Sequence, residues 1–116
     1  MEEINIKANG INLNEEMRTH ILQRLHSVFG FSQYDVQRIV ITLFEDKEID
    51  STEENRCIIE IKIRHHPKII TELKSFDIIM AITLAIEKAK LKVSRRILNK
   101  NIILKQNSSS NLITMS

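Results

Sequence analysis

The 116-residue sequence predicts an α+β fold with two layers, in which both helices cover one face of a four-stranded sheet in the order β-α-β-β-β-α. Four short segments have the alternating or β-branched character of strands. Two longer segments carry apolar residues at every third or fourth position, as helices do. Two glycines and one proline in the whole sequence favour long elements joined by few turns.

The first strand and the first helix are predicted from residues 4–30. Apolar residues alternate with polar ones from Ile4 to Ala8, and Asn9-Gly10 ends the strand. Asn14 is a suitable helix N-cap, and acidic residues follow it in the first turn. The helix ends at Gly30. Its apolar positions are Met17, Ile21, Leu22, Leu25, Val28 and Phe29.

Three further strands are predicted to form an antiparallel meander. Residues 36–44 are rich in β-branched side chains, and in residues 56–64 the positions of Cys57, Ile59, Ile61 and Ile63 alternate with those of Arg56, Ile58, Glu60, Lys62 and Arg64. Between them, residues 45–55 contain six acidic residues and one lysine without an apolar period, which predicts a loop. Pro67 interrupts the pattern before residues 69–73 resume it as the third strand of the meander.

The last helix is predicted from about Ser75, its expected N-cap, to Asn99, with Asp77 in the first turn. Its predicted core face consists of Ile78, Ile79, Ile82, Ile86, Ala89, Val93 and Ile97. A second set of apolar residues, here called the apolar row, consists of Met80, Leu84, Leu91 and Leu98. This row either packs in part against the first helix or forms a contact with a second copy or another protein.

Length and composition are those of one domain, since 116 residues with 42% hydrophobic content can bury one core. We expect residues 1–99 to form this domain. Residues 100–116 are polar, contain a run of three serines, and are predicted to be a disordered tail.

A cytoplasmic location without membrane attachment is expected from the sequence. The N-terminus is acidic and unlike a signal peptide, and the longest apolar stretch, Ile78 to Ile86, is too short to cross a bilayer. Cys57 is the single cysteine, so no internal disulfide is possible, and its place in a strand predicts burial.

No enzymatic activity, cofactor, metal or small-molecule substrate is predicted. The sequence contains no phosphate-binding loop, dinucleotide fingerprint or nucleophile elbow. His65 and His66 are adjacent on an extended segment, so their side chains diverge and do not form a metal site together.

The distribution of charge indicates an oriented partner. Residues 1–58 contain six Lys and Arg against eleven Asp and Glu, net −5, whereas residues 59–116 contain eleven against four, net +7. Four cations, here called the cationic row, flank the core face of the last helix: Lys88, Lys92, Arg95 and Arg96. Such a row suits a nucleic-acid backbone, although basic residues at this spacing are also usual on solvated helix faces.

Several segments resemble the ribosome hibernation-promoting factor and ribosome-associated inhibitor family over residues 4 to about 98. INIKANGINLNEEMRTHI is similar to that family's first strand and capped helix, with Arg18 at the place of a helix arginine. ENRCIIEIKI resembles a D-K-R-C opening found in short bacterial members. SFDIIMAITLAIEKAKLKVSRRI resembles the last helix of the family. Its matching positions are Asp77, Ala81, Ile82, Ile86 and Lys88.

This resemblance implies a short-form bacterial stress or stationary-phase protein that regulates translation by ribosome hibernation. Such a protein occupies the decoding cleft of the small ribosomal subunit, contacts ribosomal RNA and excludes messenger and transfer RNA. Carried over by position, the RNA-binding residues are Arg18, Arg24, Lys88, Lys92, Arg95 and Arg96. The strand pattern of this sequence adds Arg56, Lys62 and Arg64.

The sequence departs from the family's last helix at three places. Ile79 replaces a tyrosine, Thr83 an acidic or amide residue, and Leu91 an arginine, which exchanges cationic for aliphatic surface. The alternative function is a protein-interaction module that binds no RNA and dimerises through the apolar row or the open edge of the sheet. The two functions differ in salt dependence, because only phosphate contacts weaken steeply as salt rises.

Overall fold

The structure is a computed structural model that describes residues 3–30, 35–46 and 54–108, with only the backbone described for residue 46 and residues 99–108. Its elements, in chain order, confirm the predicted β-α-β-β-β-α arrangement. They are β1 (Glu3–Asn9), α1 (Glu15–Phe29), β2 (Val36–Asp46), β3 (Glu54–Ile63), β4 (Ile69–Ser75) and α2 (Ile78–Ser108).

The four strands form one mixed sheet in the order β1-β2-β3-β4. β1 is parallel to β2, and α1 provides the crossover that a parallel pair requires. The other two pairs are antiparallel, which confirms the predicted meander. Ile6, Ile41, Ile59 and Thr71 stand opposite one another across the sheet, so the register aligns the inward positions of all four strands.

Strand pairing extends into the acidic segment that the sequence predicts as a loop. Glu45 pairs with Asn55, and Asp46 pairs with Glu54, so β2 and β3 each continue beyond their predicted ends. The prediction fails at these residues because backbone pairing continues the ladder where apolar alternation has stopped. Residues 47–53 of the predicted loop lie outside the described residues.

One hydrophobic core lies between the sheet and both helices, which confirms that the helices share a face. β2 and β3 contribute alternate residues, and α1 contributes Ile21, Leu25 and Phe29. The buried residues of α2 are Ala81, Ile82, Ala85, Ile86, Ala89 and Val93. The prediction that Ile79 belongs to this face is wrong, because its side chain lies in an open groove beside α1 and is 39% exposed.

The N-terminal caps agree with prediction in α1 and differ in α2. Asn14 Oδ1 accepts a hydrogen bond of 2.8 Å from the Met17 amide, as an N-cap should. In α2 the corresponding acceptor is Asp77 Oδ1, 2.9 Å from the Ile79 amide. Ser75 is therefore not the cap, because it belongs to β4 and the helix begins at Ile78.

Replacement of Asp77 by alanine is expected to reduce the free energy of unfolding by about 1 kcal/mol, the usual effect of losing an N-cap acceptor. Ser75→Ala is the matched control and should reduce it by less than half as much. Urea denaturation followed by circular dichroism measures both. An equal loss in the two variants would contradict the assignment of the cap.

Helix α2 is longer than the sheet beneath it. Its 31 residues span about 46 Å, against about 23 Å for the seven residues of β4. The helix ends at Ser108, nine residues beyond the predicted end at Asn99. The domain boundary at residue 99 and the disorder of the tail stay predictions. Within the part of the chain that the structure describes, neither helix combines the length and apolar character needed to span a membrane.

Candidate nucleic-acid interface

The cationic row lies along the edge strand β4 and bonds to its backbone. Lys92 Nζ donates to the carbonyl of Ile70 at 2.7 Å. Lys88 Nζ donates to that of Glu72 at 3.5 Å, and Arg96 donates to that of Pro67 at 3.2 Å. The donors advance along the helix while the acceptors recede along the chain, so α2 runs antiparallel to β4.

The spacing of these contacts follows from the geometry of the two elements. Four helical residues rise about 6 Å, and two strand residues advance about 6.6 Å. Lys88 and Lys92, four positions apart, therefore meet β4 carbonyls two positions apart, whereas Arg96 reaches Pro67 in the segment just before β4. Cations over an edge strand also obstruct pairing with a strand from another chain. The row thus has a structural role in addition to any role in binding.

The row remains accessible and electrically unbalanced. Lys92, Arg95 and Arg96 line a shallow surface groove of 290 Å³ together with Ile69 and Ile70. Among the residues whose side chains are described, no carboxylate forms an ion pair with any cation of the row. A neutral carbonyl leaves the full positive charge in place, so the row can still attract an anion.

The two arginines predicted from α1 lie apart from this row. Arg24 forms an ion pair with Glu87 of α2, which ties the two helices together and neutralises its charge. Arg18 is exposed and lies six positions before Arg24, about 120° away around the helix. Because Arg24 points toward α2, Arg18 points elsewhere and is separated from the cationic row.

The three cations predicted from the strand pattern also lie elsewhere. Arg56 is on the sheet face opposite the helices, where it stacks 4.4 Å from the ring centre of Phe44 and lies 3.6 Å from Glu72. Lys62, on the same face, donates to the carbonyl of His66. Arg64, in the turn after β3, pairs with Asp35 at 3.1 Å. Four of the nine predicted residues therefore form one continuous surface.

A second group of cations, which the sequence pattern did not predict as a group, lies on the open sheet face. Lys7, Arg38 and Lys68 line a groove of 610 Å³ there, together with Lys62. Strand alternation could have revealed it, since Arg38 and Lys62 are cross-strand partners. Glu3 lies in the same groove, where hydrogen bonds from Asn5 and Arg38 lower the pKa of its carboxyl group. Carboxylates thus offset part of the charge of this groove.

The groove between the N-terminal ends of the two helices has a different character. It has a volume of 640 Å³ and contains Glu15, Glu16 and His20 of α1 beside Ile79 of α2. Two exposed carboxylates repel phosphate groups. The cationic row is therefore the better candidate for contact with a nucleic acid.

Cys57 is fully buried, and burial raises the pKa of its thiol to about 12. The reactive thiolate is thus almost absent at neutral pH. We expect native protein to react with a disulfide reagent at pH 8 at least about 100-fold more slowly than protein unfolded in guanidinium, whose thiol has an ordinary pKa near 8.5. Equal rates, measured by thiolate release, would contradict this burial.

Fold and charge together define a small two-layer α+β domain with a cationic helix along one sheet edge. The chain belongs to the family described as sigma 54 modulation protein / S30EA ribosomal protein, whose model matches residues 4–98. This match confirms the family resemblance noted from the sequence. No curated protein sequence matches the chain.

Two solved structures share the fold. A ribosomal subunit interface protein from Coxiella burnetii matches with a TM-score of 0.69 at 16% sequence identity. The matched region covers 83% of this chain and 98% of the Coxiella burnetii chain. The N-terminal domain of Thermus thermophilus Protein Y matches with a TM-score of 0.61 at 14% sequence identity. This match covers 82% of this chain and 98% of the Protein Y domain. At these identities the comparison shows similarity of fold.

Proposed function

We propose that this protein binds the small ribosomal subunit and inhibits translation by occupying its decoding cleft, as a hibernation factor. Membership of the S30EA family over residues 4–98 supports the ribosome as partner. The structurally similar protein from Coxiella burnetii is a ribosomal subunit interface protein, which agrees with this partner. The mechanism is steric exclusion, which needs no catalytic group, cofactor or metal.

The cationic row is the observation that carries the proposed RNA contact. It presents three exposed cations and the half-buried Lys92 on one helix edge, with no described carboxylate paired to them. Lys88 and Lys92 are already ordered by hydrogen bonds to β4 and Arg96 by one to Pro67, so little further side-chain entropy is lost when phosphates bind. Contacts of this kind position a protein on folded RNA by shape and charge without reading sequence.

The remaining predicted cations have a lesser place in this proposal. Arg18 is exposed on α1 but separate from the cationic row, while Arg24, Arg56 and Arg64 act mainly in intramolecular pairs. Lys62 belongs to the opposite sheet face. We therefore expect substitutions of these five residues to affect ribosome binding less than substitutions in the cationic row.

Co-sedimentation with isolated small ribosomal subunits tests the function directly. We expect saturable binding that persists against an excess of bulk folded RNA and weakens steeply between roughly 50 and 400 mM salt. Binding that the bulk RNA removes would contradict a specific ribosomal site. Absence of binding at low salt, together with a salt-independent dimer in sedimentation, would favour the alternative module that dimerises through the apolar row.

A further inference from the structure

The apolar row is exposed on the side of α2 that faces away from the core. Met80, Leu84, Leu91 and Leu98 are between 44% and 57% exposed, so the row is not covered by α1. The leucines recur at intervals of seven residues, the repeat by which helices pair. The row extends for about 27 Å along the helix. This length and repeat suit another helix better than a loop or a small ligand.

The charges beside the row identify the kind of helix that fits. On the helical wheel, Arg95 and Lys88 lie about 40° and 60° to one side of Leu91, and Lys92 lies farther round on that side. On the other side lie Ser94 and Glu87, with Lys90 farther round, and Glu87 is already paired with Arg24. A complementary helix therefore has an apolar stripe with carboxylates along one border.

A second copy of this chain does not satisfy that requirement. An antiparallel pair of α2 helices would place the cationic borders against each other. A parallel pair would place each cationic border against Ser94, Lys90 and Glu87, whose charge Arg24 already offsets. Like charges opposed across an interface destabilise it.

We propose that the apolar row and its cationic border form a docking surface for an acidic amphipathic helix of another protein. Leucines of the partner fill the spaces between Leu84, Leu91 and Leu98, and its carboxylates face Lys88 and Arg95. This surface shares Lys88 and Arg95 with the proposed ribosomal contact, but its central element, the apolar row, lies outside that contact.

A synthetic 21-residue peptide with leucine at heptad positions a and d and glutamate at the flanking positions serves as the probe. We expect saturable binding in fluorescence anisotropy, weakened at least tenfold by the double variant Leu84→Gln/Leu91→Gln. Ile70→Gln is the control, since Ile70 and Leu91 are equally exposed at 52% but Ile70 lies on β4. Both variants should melt at the wild-type temperature.

Three results would overturn the proposal. The first is equal binding of a peptide of identical composition whose leucines are not aligned on one face, which would show attraction by charge alone. The second is sedimentation of the free wild-type protein as a dimer and of the double variant as a monomer. The third is binding to vesicles of phosphatidylserine that the double variant loses, which would identify a membrane surface instead.

Discussion

The triple variant Lys88→Glu, Lys92→Glu, Arg95→Glu is expected to lose ribosome binding by at least about 100-fold at moderate salt while it remains folded. Three phosphate contacts at roughly 1 kcal/mol each correspond to about this factor, and the new carboxylates add repulsion. The slope of log affinity against log salt should also fall by about 2 to 3, since each lost contact removes nearly one released counterion.

Two control variants separate charge from structure. Lys88→Gln, Lys92→Gln, Arg95→Gln removes the charge but keeps polar side chains on the exposed helix edge, so it should bind weakly and melt normally. Lys7→Glu, Lys68→Glu, Lys74→Glu changes the net charge as much as the reversal but does so on the sheet layer. We expect this variant to retain most of the binding.

Co-sedimentation and thermal melts decide the outcome. Equal losses from the two triple reversals would mean that binding follows net charge and has no defined surface. Unchanged binding by a folded reversal of the cationic row would contradict the proposed interface. A lower melting temperature that is found only in the variants of Lys88, Lys92 and Arg95 would show that the row mainly stabilises the edge strand β4.

The fold was predictable because each element carries its own period. Alternation in residues 56–64 and helical spacing from Ile82 to Val93 assign strand and helix and also identify the buried side of each. Element ends were less predictable, because capping and pairing depend on backbone geometry. Asp77 replaces Ser75 as the cap of α2 for this reason: β4 continues as far as Ser75.

The residues of the candidate site could be grouped from the sequence only where they lie on the same helix or strand. The cationic row lies on α2 alone, so helical spacing was sufficient to group its members. The other predicted cations lie on separate elements, and tertiary structure decides their partners. Arg24 meets Glu87, 63 positions later in the chain, and no local pattern indicates that pair. The bonds from the row to β4 were likewise hidden, because they depend on the register of α2 over the strand.

Ile82→Asp is expected to unfold the domain. Ile82 has no exposed surface and lies in the core between α2 and the sheet. The substitution removes buried apolar atoms and places a carboxylate where no described cation can reach it, at a total cost of at least about 5 kcal/mol. A domain of this size has roughly 5–15 kcal/mol of stability, so most or all of it would be lost.

Leu84→Asp is the matched control, because it introduces the same charge two residues later on the exposed side of the same helix. Leu84 is 44% exposed, and its substitution should change the stability by no more than about 0.5 kcal/mol. Ile82→Ala provides a graded measurement if the aspartate variant cannot be purified, with an expected loss of about 2–5 kcal/mol. Circular dichroism during urea denaturation compares all three variants. A native transition for Ile82→Asp, or a larger loss for Leu84→Asp, would mean that the opposite side of α2 faces the sheet.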